Sequence, residues 1–178
     1  MAAEAALRDL EAQFEVFRKI KFSNSEAKNV ELITKTKQAE LSALLDRSVA
    51  IIQLYQDYET AAAALYYQGT AQFLYADMVY DMPLPPGLDE DFQAKYREVT
   101  DTKLRFPAED NGKKFLQASL DKARSEKRWS TWNSKALEAL HERFPLEYPS
   151  ERQESRGMVQ GSVVPVAGPA TLSESEIK

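Results

Sequence analysis

Residues 58–80, from Tyr58 to Tyr80, read YETAAAALYYQGTAQFLYADMVY, and this stretch decides the fold because it is apolar on two faces. Wound at about 3.6 residues per turn, Tyr58, Ala61, Ala62, Leu65, Gly69, Phe73, Ala76 and Tyr80 fall in one seam. Ala64, Tyr67, Ala71, Tyr75 and Met78 form a second seam on the other side. A helix apolar nearly all round is buried among neighbours or lies in a membrane, and Glu59, Gln68, Gln72 and Asp77 select the first. Glycine in mid-helix costs about 1 kcal/mol against alanine, so Gly69 predicts a notch where another backbone comes close. A ligand groove against Gly69 is the other reading.

Around this helix the chain is long enough, at 178 residues and 43% hydrophobic, to bury a core in one domain or at most two. Its richness in Ala, Leu, Glu, Lys and Gln, with six glycines, is a helical composition. A net charge of -5, with no basic run interleaved with aromatics, argues against nucleic acid. No run of about 18 uncharged apolar residues suggests direct membrane insertion. The absence of cysteine excludes disulfides and thiolate chemistry without fixing a compartment. The opening MAAEAALRDL is helix-compatible from the start, as in a piece of a longer parent chain.

Upstream, Leu7, Leu10, Phe14 and Phe17, broadened by Val16 and Ile20, predict an amphipathic helix over residues 3–22. Asn24 or Ser25 is the expected N-cap of a second helix, striped by Val30, Ile33, Lys37, Leu41, Leu44, Leu45, Ile52 and Tyr55. Lys35 and Lys37 read as part of a solvated face. Downstream, Met82-Pro83-Leu84-Pro85-Pro86-Gly87-Leu88 is a stiff connector, and Asp89 caps a fourth helix with Phe92, Tyr96, Val99 and Leu104 on its apolar face. Phe106-Pro107 predicts a break before a fifth helix carrying Phe115, Leu116, Leu120 and Ala123. A sixth starts near Ser130, with Trp132, Ala136, Leu137, Leu140 and Phe144, and ends at Pro145.

Two segments follow: a helical domain over 1–149 and a tail over 150–178. The tail is expected to be disordered, and its Met158 and Val163 to Val166 could dock on another chain. Its removal from residue 157 onward is expected to leave melting unchanged.

Catalytic chemistry is not legible. His141 is the lone histidine, on an exposed-looking helical position without a second to make a metal pair. The carboxylate pairs Glu90/Asp91 and Glu109/Asp110 sit at predicted helix starts, where the helix dipole already accounts for them. No glycine pattern cradles phosphate. No enzymatic activity, cofactor or metal is expected. Tyr55, Tyr58, Tyr66, Tyr67, Tyr75 and Tyr80 crowd one hairpin, and tyrosine both packs and binds. Tyr66, Thr70, Leu74 and Asp77, on the flank of the buried seam, are the candidate partner-binding residues.

The run Ala64-Leu65-Tyr66-Tyr67-Gln68-Gly69-Thr70-Ala71-Gln72-Phe73 resembles the first helix of a tetratricopeptide repeat, in which a large residue, a glycine four later, then alanine and an aromatic let two helices pack closely. Gln72 and Gln68 depart from that pattern, and the connector is longer than the family's tight turn. From Leu41 to Pro149, the order LYYQGTAQFLYADMVYDMPLPPGLDEDFQAKY, FPAEDNGKKFLQASLDKA and WNSKALEALHERFPLEYP is similar to the C-terminal region of large tetratricopeptide-repeat proteins in the envelope of gliding Gram-negative bacteria. The resemblance implies a helical-repeat scaffold that binds other proteins, periplasmic or envelope-associated, in a motility or envelope assembly. It brings no catalytic residue.

The expected fold is therefore all-α, about six helices in a tetratricopeptide-like repeat or bundle. Residues 89–149 would form a cap, and the Leu7, Leu10, Phe14 and Phe17 stripe would stack on upstream repeats of a longer parent. Two alternatives stand beside the scaffold: a self-contained bundle binding a small apolar ligand between Gly69 and the tyrosines, and a structural helical oligomer.

Overall fold

The computed structural model describes residues 2–22 and 30–149. The expected tail over 150–178 and the Asn24 or Ser25 cap lie outside the described residues. The fold is all-α, with α1 at Ala2–Lys19, α2 at Val30–Tyr55, α3 at Tyr58–Tyr80, α4 at Glu90–Thr100, a π turn at Asp101–Arg105, α5 at Phe106–Glu126 and α6 at Thr131–Arg143. No strand occurs among the described residues.

The two-faced stretch is the hub: α3 touches α1, α2, α5 and α6. One apolar cluster, with Leu10, Phe14, Leu44, Tyr67, Ala71 and Tyr75, joins it to α1 and α2. A second, with Phe73, Leu116, Leu120, Leu137 and Leu140, joins it to α5 and α6. A helix with a core on each side has no amphipathic stripe, which is why its apolar residues run all round. Gln56 at φ 49° ends α2 in the left-handed region, and Asp57 restarts the chain as N-cap, accepting from Thr60 N at 2.9 Å.

Gly69 faces α5, and the notch it was expected to make is reciprocal. A Cβ at Gly69 would lie 2.5 Å from Leu116 Cγ and 3.0 Å from the Gly112 carbonyl oxygen. A Cβ at Gly112 would lie 2.5 Å from Phe73 Cδ1 and 3.0 Å from the Gly69 carbonyl oxygen. Each glycine thus receives a large side chain from the helix opposite. Gly69 lines no ligand groove.

Four expectations are corrected by the packing. Phe106-Pro107 does not break the chain: α4, the π turn and α5 run on as one helical rod, giving five continuous helices among the described residues. A proline inside an α-helix clashes with the carbonyl four residues back, and the wider π turn just before Pro107 relieves that clash. The Phe106 N–H accordingly reaches five residues back to the Asp101 carbonyl. Second, α4 buries none of its residues, and Phe92 and Val99 are 62% and 43% exposed. Asp89 nevertheless caps it as predicted, accepting from Phe92 N at 3.0 Å. Third, the stripe on α1 is already covered, since Leu10, Phe14 and Phe17 are buried within this chain, while Val16 lies off it and is exposed. No upstream repeat is needed to cover those three side chains.

The fourth correction is Lys37, which is 1% exposed instead of solvated. Its Nζ donates to the carbonyls of Phe17 at 2.5 Å and Ile20 at 3.1 Å and sits 3.6 Å from the centre of the Phe17 ring. It thereby closes the C-terminal end of α1, where unpaired carbonyls and the helix dipole favour a cation. Burial, helped by the Lys21 charge, still outweighs these contacts and lowers the ammonium from 10.5 to about 8. Between those two values the unfolded chain binds the extra proton, so stability from this group rises with pH across the window. The expected gain is about 3 kcal/mol at most, complete near pH 10.5. Melting curves of the protein and of Lys37→Met across pH 7.5–10.5 should therefore diverge in slope. Parallel curves would contradict the assignment.

Candidate functional site

The four sequence-selected residues share one flank of α3. At about 100° per residue, Thr70 and Leu74 fall between the side that meets α6, through Tyr66, Phe73 and Asp77, and the side that meets α1, through Tyr67. Tyr66, Thr70 and Leu74 are half-buried, and Asp77 is exposed. The strip is therefore the floor between two flanking helices.

An aromatic chain borders it. The Tyr66 ring lies 5.5 Å from Tyr67 and 5.6 Å from Trp132, Tyr67 lies 5.4 Å from Trp132, and Phe14 lies 5.1 Å from Tyr67. These separations suit tilted ring pairs. Lys135 Nζ stands 4.2 Å from the Trp132 ring centre, putting a cation over the aromatic edge. Burial and the neighbouring Glu11 carboxylate push the Tyr67 phenol above its ordinary value, so it stays a neutral donor. Thr70 Oγ1 is buried without a hydrogen-bond partner. An incoming polar atom reaches that hydroxyl only if the Thr70 side chain turns toward the open part of the strip.

Asp77 is held from within. Arg143 Nη2 bonds both of its carboxylate oxygens at 2.5 Å, and Arg143 Nη1 also lies 3.6 Å from Glu109. Glu109 in turn pairs with Arg105, which reaches Asp101. The sequence placed Glu109 at a helix start; because α5 continues the α4 rod, it serves instead in this ladder joining α3, the π turn, α5 and α6. Asp77 thus anchors the lower end of the strip, and Tyr66, Thr70 and Leu74 form its open part.

Trp132, Lys135 and Arg143 were not among the candidates. Arg143 meets Asp77 across a sequence separation of 66, which no local pattern encodes. Trp132 was read as core, and its indole faces the strip edge as well. His141, expected to be exposed, is half-buried with Nδ1 2.8 Å from the Tyr148 carbonyl oxygen.

A second concavity was not expected at all. A cleft of about 560 Å³ opens between the first turns of α2, the proline connector and the α4 end of the rod. Met82, Leu84, Pro85 and Pro86 form one wall, Val30 and Thr34 another, and Tyr96, Thr100 and Leu104 the third. The connector's prolines gave the only sequence signal for it.

No family model, curated protein or solved structure matches the chain.

Proposed function

We propose that the chain is a non-enzymatic protein-interaction module built on a tetratricopeptide-like helical scaffold, serving a bacterial envelope or motility assembly. The observation that carries the interaction reading is the strip of Tyr66, Thr70 and Leu74, half-open between α1 and α6 and edged by Trp132 and Lys135. Adjoining Tyr and Trp rings are the residues in which protein-binding hot spots are enriched. The close antiparallel pairing of α3 with α5 through Gly69 and Gly112 is the kind of helix contact that the resemblance implies. The periplasmic or envelope setting rests on that resemblance alone.

A second reading, a bundle that binds a small apolar ligand, draws on the cleft beside the proline connector, whose volume falls within the range of ligand sites. It needs a set of converging polar groups, and those at the cleft are mostly engaged elsewhere: Thr34 and Thr100 bond their own helix carbonyls at 2.8 Å, Gln38 bonds the Tyr75 hydroxyl at 2.8 Å and Glu31 pairs with Lys35, which leaves the Tyr96 hydroxyl.

The test is affinity capture from native envelope extract with the protein and with Leu74→Glu, whose melting is checked first. Leu74→Glu places a charge on the floor of the strip; because Leu74 is half-buried against the first cluster, a modest fall in melting is expected, and at a temperature where the variant stays folded it should lose one specific protein. Recovery of the same proteins by both would overturn the assignment of the surface.

A further inference from the structure

The cleft and the last part of the chain complement each other. We infer that the cleft between α2, the proline connector and α4 is a docking site for the chain's own segment Val163–Val166, taken up in cis.

The cleft comes first. Its lining is mostly apolar, with Val30, Met82, Leu84, Tyr96 and Leu104 and the connector prolines, and the one charged pair at its rim, Glu31 with Lys35, is already closed at 2.7 Å. An apolar, extended and uncharged occupant fits such a lining, and a charged one does not. The Tyr96 hydroxyl meets only a thioether among the described residues, Met82 Sδ at 3.5 Å, and a thioether is a weak acceptor. The phenol is thus a donor that a backbone carbonyl of an extended occupant can take up. The α4 wall is itself incomplete, since this helix buries none of its residues.

The segment matches. Residues 157–173 carry no charge in a chain that is 29% charged, and their centre reads Ser162-Val163-Val164-Pro165-Val166-Ala167. Proline and valine are residue types that favour extended backbone, and the four side chains of Val163–Val166 are all aliphatic.

Reach and concentration permit it. Glu147 pairs with Lys113 at 2.6 Å, so the last described residues lie along α5 about 14 Å of helix from Leu104 at the cleft. Val163 follows Pro149 by about fourteen residues, which span up to ~46 Å when extended. A tether of that length holds the segment at an effective concentration in the millimolar range, so contact with a dissociation constant below about a millimolar fills the site. The composition alone predicts a tail indifferent to the bundle. The cleft gives it a place to bind.

The absence of cysteine supplies a clean test in the full chain. Ser162→Cys is combined either with Thr34→Cys, in the cleft, or with Glu138→Cys, exposed on α6, the last described helix before the tail. Both proteins are checked for parental melting under reducing conditions, then oxidised at low concentration. Docking predicts a monomeric disulfide forming about tenfold faster at Thr34→Cys than at Glu138→Cys, and Val164→Glu in the same background should erase the difference. Equal or slower closure at Thr34→Cys overturns the proposal. So does a disulfide-linked dimer at that position, which would assign the cleft to the tail of a second copy.

Discussion

Gly69→Leu is expected to cost about 3 kcal/mol or more and to lower the melting temperature by about 10 °C. Even a methyl group at residue 69 has no room, with Leu116 Cγ at 2.5 Å and the Gly112 carbonyl oxygen at 3.0 Å. Leucine would improve local helix propensity by just under 1 kcal/mol, and this offsets only part of the overpacking. A flexible side chain could turn aside, but the carbonyl of a packed helix cannot, so α3 and α5 must separate along their whole contact. Their separation would open the cluster of Phe73, Leu116, Leu120 and Leu140. A melting temperature within 2 °C of the parent would show that Gly69 faces open space.

Asn133→Leu should be comparably damaging, at about 3 kcal/mol, for a different reason. The Asn133 side chain is fully buried where α3, α5 and α6 meet. Its Nδ2 donates to the Ser119 carbonyl and to Ser119 Oγ, both at 3.0 Å. Its Oδ1 accepts from Ser130 N at 2.8 Å and Ser130 Oγ at 2.9 Å. The single proton of the Tyr58 hydroxyl lies between Asn133 Oδ1 at 2.6 Å and the Arg128 carbonyl at 2.7 Å. Leucine has a similar volume but leaves the Ser130 N–H without a partner in a dry site, where an orphaned group costs about 1–3 kcal/mol. Tyr58→Phe leaves Asn133 Oδ1 with both Ser130 donors, and the Arg128 carbonyl it releases belongs to an exposed residue that water can reach, so it should cost only about 1 kcal/mol. Urea titrations of the two variants rank them, and an Asn133→Leu cost no greater than that of Tyr58→Phe would contradict the network.

Much of this architecture was legible because it rests on period and caps. The span Tyr58–Tyr80, the Asp89 cap and the end of α6 at Phe144 follow from an apolar run, a side-chain oxygen and a proline. What was misread depends on partners distant in sequence. Lys37 looks solvated until α1 brings the Phe17 and Ile20 carbonyls over it. Phe92, Tyr96 and Val99 have a helical period, yet period does not say whether a neighbour exists, and α4 has nearly none. Pro107 signals a break by local rules, and a π turn evades them at the cost of one irregular turn.

The strip on α3 was legible in part for the same reason. Tyr66, Thr70, Leu74 and Asp77 share a flank by spacing alone. That Arg143 occupies Asp77 and that Trp132 turns its ring to Tyr66 are facts of α6 docking, which sequence spacing does not contain. The cleft is further still from any pattern, since it is bounded by three elements that meet only in the folded chain.

Two backbones touch at the α3–α5 crossing, and a double-mutant cycle on Gly69→Ala and Gly112→Ala measures that contact. Each new Cβ lies 3.0 Å from the carbonyl oxygen of the other glycine, so either substitution forces the same separation of the helices. Once the helices have moved, the second methyl group meets less resistance. Each single variant is expected to lose about 1–3 kcal/mol, with the pair less destabilised than the sum by at least about 0.5 kcal/mol. Strict additivity, or single variants as stable as the parent, would contradict the contact on which α3 is held as the hub.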